Sequence, residues 1–156
     1  MHRAPATLHV LLALATGAGP ATAAQTTGYV VCTDFITGSL STVNLNTRAV
    51  SQDVASIGSD PAPRWFGGKP QIVNRFGSDN IQVLDPAQNY LTTLQYSTGN
   101  GSNPQDICFV SPGKAYITRY GSAALWIVNP STGGFLGQIS LAGNGATWFT
   151  GASRNS

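Results

Sequence analysis

At 156 residues, 42% of them hydrophobic and only 9% charged, the chain is long enough for one domain with a packed core. Eight basic residues stand against six acidic ones, and Arg3 falls in a leader-like segment, so the remainder is nearly neutral. That balance excludes the clustered basic face that nucleic-acid binding requires, and no charge run or heptad is present.

At the N-terminus, His2 and Arg3 precede "LHVLLALATGAG" and then the small-residue stretch "PATAAQ". A charged start, a short apolar core and an Ala-x-Ala site predict a secretory signal peptide over 1–24, cut after Ala23 or Ala24. The apolar run is well short of the ~20 residues that a spanning helix needs, so no membrane span is expected in the mature chain. The predicted location is extracytoplasmic: secreted, periplasmic or at the cell surface. Cys32 follows Val31, where a lipobox would want a small residue. Cys32 and Cys108 each sit inside a β-rich run, and whether they form a disulfide is left open by the sequence.

Beyond the leader, short runs of Val, Ile, Thr, Tyr and Phe alternate with clusters of Gly, Ser, Asn, Asp and Pro, which predicts an all-β chain of short strands and tight turns. The runs repeat. "NRFGSDNIQVLDP" (74–86) returns as "TRYGSAALWIVNP" (118–130), and "STVNLNTRAV" (41–50) aligns with the later halves so as to place Asn46, Asp85 and Asn129 in register. Upstream of each lies a second matching run, "GYVVCTDF", "PQIVNRFG" and "KAYITRYG". A period of roughly 40 to 45 residues with four strands per unit is that of a β-propeller blade. The expected units are a partial first blade over 25–57, lacking its inner strand, a second over 58–98 and a third over 99–141. Residues 142–156 form an irregular tail in which "ATWFT" can begin a further strand. In the third unit the strands are expected at 104–110, 115–119, 125–128 and 135–141.

The order "NPQDICFVSPGKAYITRYGSAALWIVNPSTGGFLGQISL" resembles the YVTN-type β-propeller repeat of bacterial and archaeal extracytoplasmic and surface-layer proteins. "AYITR" corresponds to the signature strand, "LWIVNPSTG" to the strand and turn after it, and "SPGKAY" to the first hairpin. The resemblance spans about residues 28–141 and implies blades of four antiparallel strands in an incomplete array of about three. Ordinary propellers close rings of four to eight blades. The sequence is therefore expected to be a truncated product, a piece of a larger propeller, or a chain that self-associates through exposed blade edges.

Catalytic chemistry is limited by what is missing. Past the leader there is no histidine and no glutamate, so Ser-His-Asp and Cys-His arrangements lack a base, and histidine-ligated metal sites lack ligands. The carboxylates left are Asp34, Asp53, Asp60, Asp79, Asp85 and Asp106. Asp85 precedes Pro86 at a strand end, where a side chain that caps its own turn is the simplest reading. No cofactor, metal or catalytic residue is expected.

One constellation points to binding. In propellers, the loops between second and third strands and the connections between blades open on one rim. That would gather Arg75, Arg119, Asn74, Asp60 and Asn103, with Phe76 and Tyr120 beside the two arginines. Paired guanidiniums can hold an anion bidentately; alternatively each arginine is a solvated loop residue whose stem covers its aromatic neighbour. The sequence thus predicts a non-enzymatic extracytoplasmic propeller module that binds a protein or a small anionic ligand at this rim. A piece of a propeller enzyme (a lyase, lactonase or quinoprotein-like dehydrogenase) and a cell-surface structural repeat stand beside it as alternatives.

Overall fold

The computed structural model describes residues 26–143; the predicted leader and the strand expected at "ATWFT" lie outside the described residues. Among the described residues eleven strands and one short 3-10 turn make up the regular structure, so the chain is all-β as the alternation predicts. The strands fall into three antiparallel sheets. The first contains β1 (Thr27–Thr33), β2 (Gly38–Asn44) and β3 (Val50–Ile57). The second contains β4 (Pro61–Phe66), β5 (Lys69–Asn74), β6 (Asn80–Asp85) and β7 (Leu91–Ser97). The third contains β8 (Pro104–Ser111), β9 (Lys114–Arg119), β10 (Ala124–Asn129) and β11 (Gly134–Ser140).

Each sheet is an up-and-down meander in which sequence neighbours pair. The first has three strands because nothing among the described residues pairs with the free side of β1. In the repeat alignment β1 and β2 correspond to β5 and β6 of the second sheet and to β9 and β10 of the third. Aromatic stacking joins neighbouring sheets: Tyr29 of β1 stacks on Trp65 of β4 at 5.0 Å, and Phe66 of β4 stacks on Phe109 of β8 at 4.3 Å. Arg64 and Asp106 add an ion pair at 2.7 Å between β4 and β8.

Burial follows from this stacking. β5 and β6 are buried along nearly their whole length because both faces of the second sheet are covered. Towards the third sheet, Val73, Ile81, Val83 and Tyr96 meet Ile107, Ala115, Ile117 and Val128. Towards the first, Ile72 and Leu84 meet Leu40. This second interface has a polar half. Asn74, 2% exposed, accepts from the Gly58 amide at 2.8 Å and donates to Asn80 and Gln82. Gln82 in turn donates to the Ser56 carbonyl at 3.1 Å and to Thr92 at 2.9 Å.

Two features lay beyond the repeat as aligned. The strand-ending turn former of the first sheet is Asn44, not Asn46: its side chain accepts from the amides of Asn46 and Thr47 at 3.0 and 2.9 Å. Asp85 and Asn129 do the same work, accepting from Ala87 and Ser131 at 2.9 Å each. β2 ends at Asn44, and the chain turns after it while the Leu45 amide still donates to the Thr26 carbonyl at 2.7 Å. Each sheet also carries an irregular register where its last two strands pair, at Leu40/Thr42, Val83/Leu84 and Ile127/Val128. A bulge there bends and twists the outer strand away from flat edge pairing.

Acid sensitivity follows from the carboxylates. The amides of Thr37 and Ile36 lower the pKa of Asp34, hydrogen bonds from Lys69 and then the Ala87 amide lower that of Asp85, and Arg64 lowers that of Asp106. A folded-state pKa below the unfolded value contributes stability that is present above about 3.9 and lost as pH falls through the folded value. Residues 26–143 contain neither histidine nor glutamate. The melting temperature should therefore be level from about pH 5 to 8 and fall below about pH 4. A decline already between pH 7 and 5, followed by circular dichroism, would contradict this assignment.

Candidate functional site

The loops β1–β2, β5–β6 and β9–β10 lie at the same end of their sheets, together with the crossovers that enter β4 and β8. Asp60 precedes Pro61, which pairs with Asn74; Asn103 precedes Pro104, which pairs with Arg119. Each crossover is tied to the loop of its own sheet. The Arg75 amide donates to the Asp60 carbonyl at 2.9 Å, and the Tyr120 amide donates to the Asn103 carbonyl at 3.0 Å. The five residues singled out from the sequence thus lie near one end of the array, though with different roles.

Both arginines are engaged by groups of the protein itself. Arg75 donates through Nη2 to the Asp60 carboxylate at 2.5 Å and through Nε to the Asp60 carbonyl at 3.4 Å, so its Nε–Nη2 edge is occupied. Arg119 lies over the Trp126 ring at 4.2 Å and donates to the Thr98 carbonyl, the Ser122 hydroxyl and the Ala124 carbonyl. Burial lowers its pKa, and its Nε is buried without a partner. A guanidinium stacked on indole and bonded to carbonyls joins strands and loops; it is not displayed at a surface. No hydrogen bond or ion pair among the described residues joins Arg75 to Arg119. Asn74 is turned into the interface between the first two sheets, within the polar network described above.

The residue that organises this end is Asp79, which motif reasoning passes over. It is 8% exposed and sits at φ 50. Its two carboxylate oxygens accept from the Asn103 amide at 2.7 Å and the Gly101 amide at 2.8 Å, and its carbonyl accepts from the Thr98 amide at 2.9 Å. One side chain of the second sheet thereby folds the crossover "TGNGSN" that leads into the third. Gly99 and Gly101 supply the positive φ values, 99° and 68°, that so tight a path requires. The only local sign of this role is a lone Asp in a turn, and its partners lie 22 and 24 positions away.

Between Phe76 and Tyr120 lies a cleft of about 400 Å³, floored by Asp79, Gly101 and Asn103 and edged by Asn100. Phe76 is 73% exposed and Tyr120 68%. A second hollow of about 290 Å³ adjoins it through Gly77, Asp79 and Asn100 and reaches Gln95 and Tyr96. Burial raises the pKa of Tyr96, and its hydroxyl has no partner. Between β1 and β4, a groove of about 450 Å³ is lined by Tyr29, Arg64, Trp65 and Pro70. Cys32 and Cys108 are free and exposed in different sheets. Among the described residues no group of three or more His, Cys, Asp or Glu is placed to hold a metal, and no helix is long and apolar enough to cross a membrane.

Fold and cleft together define an all-β protein of three stacked antiparallel meanders with a concave, aromatic-edged rim. Comparison with protein-family models and with curated proteins found none that matches the chain.

Proposed function

We propose that the chain is a non-enzymatic, extracytoplasmic binding module of YVTN-type propeller character, with the rim cleft between the second and third sheets as its binding site. The carrying observation is the cleft itself: two exposed aromatic rings face polar loop atoms at a place where Asp79 has already organised the backbone. Concave sites that combine apolar walls with a few placed polar groups are where small ligands bind. The leader-like N-terminus supports export. The occupied guanidiniums do not favour the anionic ligand expected from the sequence.

A thermal-shift panel of peptides, polyanions and oligosaccharides tests this reading. At least one class should raise the melting temperature of the parent and not that of a Phe76→Ala/Tyr120→Ala variant whose unliganded melting is unchanged. Conversion of the hit to products, or amide protection confined to the opposite end of the sheets, would overturn it.

A further inference from the structure

The β1–β2, β5–β6 and β9–β10 loops each present one strongly exposed aromatic ring: Phe35 at 83%, Phe76 at 73% and Tyr120 at 68%. None of the three takes part in a ring contact with another described aromatic residue. Large rings left in water on three successive units are not core residues, and exposed apolar groups of this kind mark interaction sites. Phe35 is held in position at a backbone cost. It sits at φ 68, a region bulky side chains seldom adopt. Asp34 secures the loop by accepting from the Ile36 and Thr37 amides at 2.8 and 2.6 Å.

From these observations we infer that the rim binds a neutral glycan chain, with Phe35, Phe76 and Tyr120 as successive stacking platforms; the inference rests on the rim-binding reading above. A pyranose ring has an apolar C–H face that lies flat on an aromatic ring and an edge of hydroxyls that seeks hydrogen bonds. The cleft supplies both. Phe76 and Tyr120 form its walls, and Asp79, Asn100 and Asn103 line it with amide and carboxylate groups. Charge selects against the other ligands that stack. Single-stranded nucleic acid also uses aromatic platforms but needs a cationic groove along its backbone. Here the neighbouring cations are spent, Arg75 on Asp60 and Arg119 on Trp126 and three oxygen acceptors, while Asp79 adds a negative charge beneath the ligand. Sulfated and uronic glycans meet the same obstacle. One ring in each of three neighbouring loops favours an extended chain over a single sugar.

The test is isothermal titration of the full chain with the di- and hexasaccharides of cellulose, chitin and amylose. Hexagalacturonate, oligo(dT) and an unstructured peptide serve as contrasting arms. One neutral series should bind, with the hexasaccharide at least about tenfold tighter than the disaccharide. Phe76→Ala and Tyr120→Ala should each weaken it by about tenfold. Phe35→Ala should weaken the hexasaccharide and leave the disaccharide unchanged, a split that a general loss of structure would not produce. All three side chains are exposed, so melting temperatures should stay at the parent value. Failure of every neutral series to bind, or neutral binding indifferent to Phe76 and Tyr120, overturns the inference. Should hexagalacturonate, oligo(dT) or the peptide bind instead in a Phe76- and Tyr120-dependent way, the glycan class falls and the rim reading stands. If these substitutions change the binding of no arm, both fall.

Discussion

Replacing Asp79 with alanine is expected to lower the free energy of unfolding by about 3 kcal/mol. Two backbone amides, those of Gly101 and Asn103, donate to this carboxylate, and no other acceptor serves either of them. Hydrogen bonds to an ionised acceptor are each worth about 1.5 to 3 kcal/mol, and an amide stranded without one retains its desolvation penalty. Gly101 is exposed, so water can reach it once the loop relaxes, which keeps the total below the full sum. Asp79→Asn should cost less, because one oxygen acceptor survives and asparagine tolerates the φ of 50 found here. Urea denaturation of the two variants checks the order. An alanine variant within about 1 kcal/mol of the parent would show that the crossover is held by its own turns. Loosening at this point should also blur the cleft, since Gly101 and Asn103 form its floor.

Leu84→Ala should cost about 3 to 4 kcal/mol and should release the first sheet ahead of the others. Leu40, Ile72 and Leu84, all fully buried, are the centre of the interface between the first and second sheets. The other apolar contributors, such as Tyr29, Val31 and Ile57, are only partly covered. A cavity at Leu84 removes a large share of what binds a three-stranded sheet that cannot bury its own face. The third sheet is joined through a separate cluster of eight buried residues and should be little affected. Hydrogen exchange is the appropriate readout. Amides of β1 to β3 should lose protection first while those of β8 to β10 keep theirs; uniform loss across all three sheets would mean that the array unfolds as one unit.

The polar half of that interface explains why Asn74 is misleading in sequence. Beside Arg75 in a turn-like phrase, it reads as a rim residue. In the fold it is the last residue of β5, its side chain faces the first sheet, and it satisfies the Gly58 amide and two side-chain acceptors. Removing such a group strands buried partners, whereas removing an exposed rim residue strands none. Arg75 and Arg119 present the same contrast. Their spacing in the repeat suggested a pair, yet one is neutralised by the aspartate of its own crossover and the other lies on Trp126. Equivalent positions in two units have acquired different partners because the crossovers that reach them, "GSD" and "TGNGSN", differ in length and sequence.

By itself the sequence determined the all-β class and the strand boundaries to within a residue or two in the third sheet. Those properties are local: alternation sets which residues face the sheets, and Asn, Asp, Gly and Pro set where strands must turn. It also marked the end of the sheets where the loops gather. Tertiary structure alone decided the clamp at Asp79, the burial of Asn74, the engagement of both arginines, the shift of the first turn from Asn46 to Asn44 and the bulge repeated in each outer strand pair. Each depends on which backbone amides and carbonyls lack a partner once the sheets have stacked. That is settled by contacts between residues distant along the chain, which spacing and residue type do not specify.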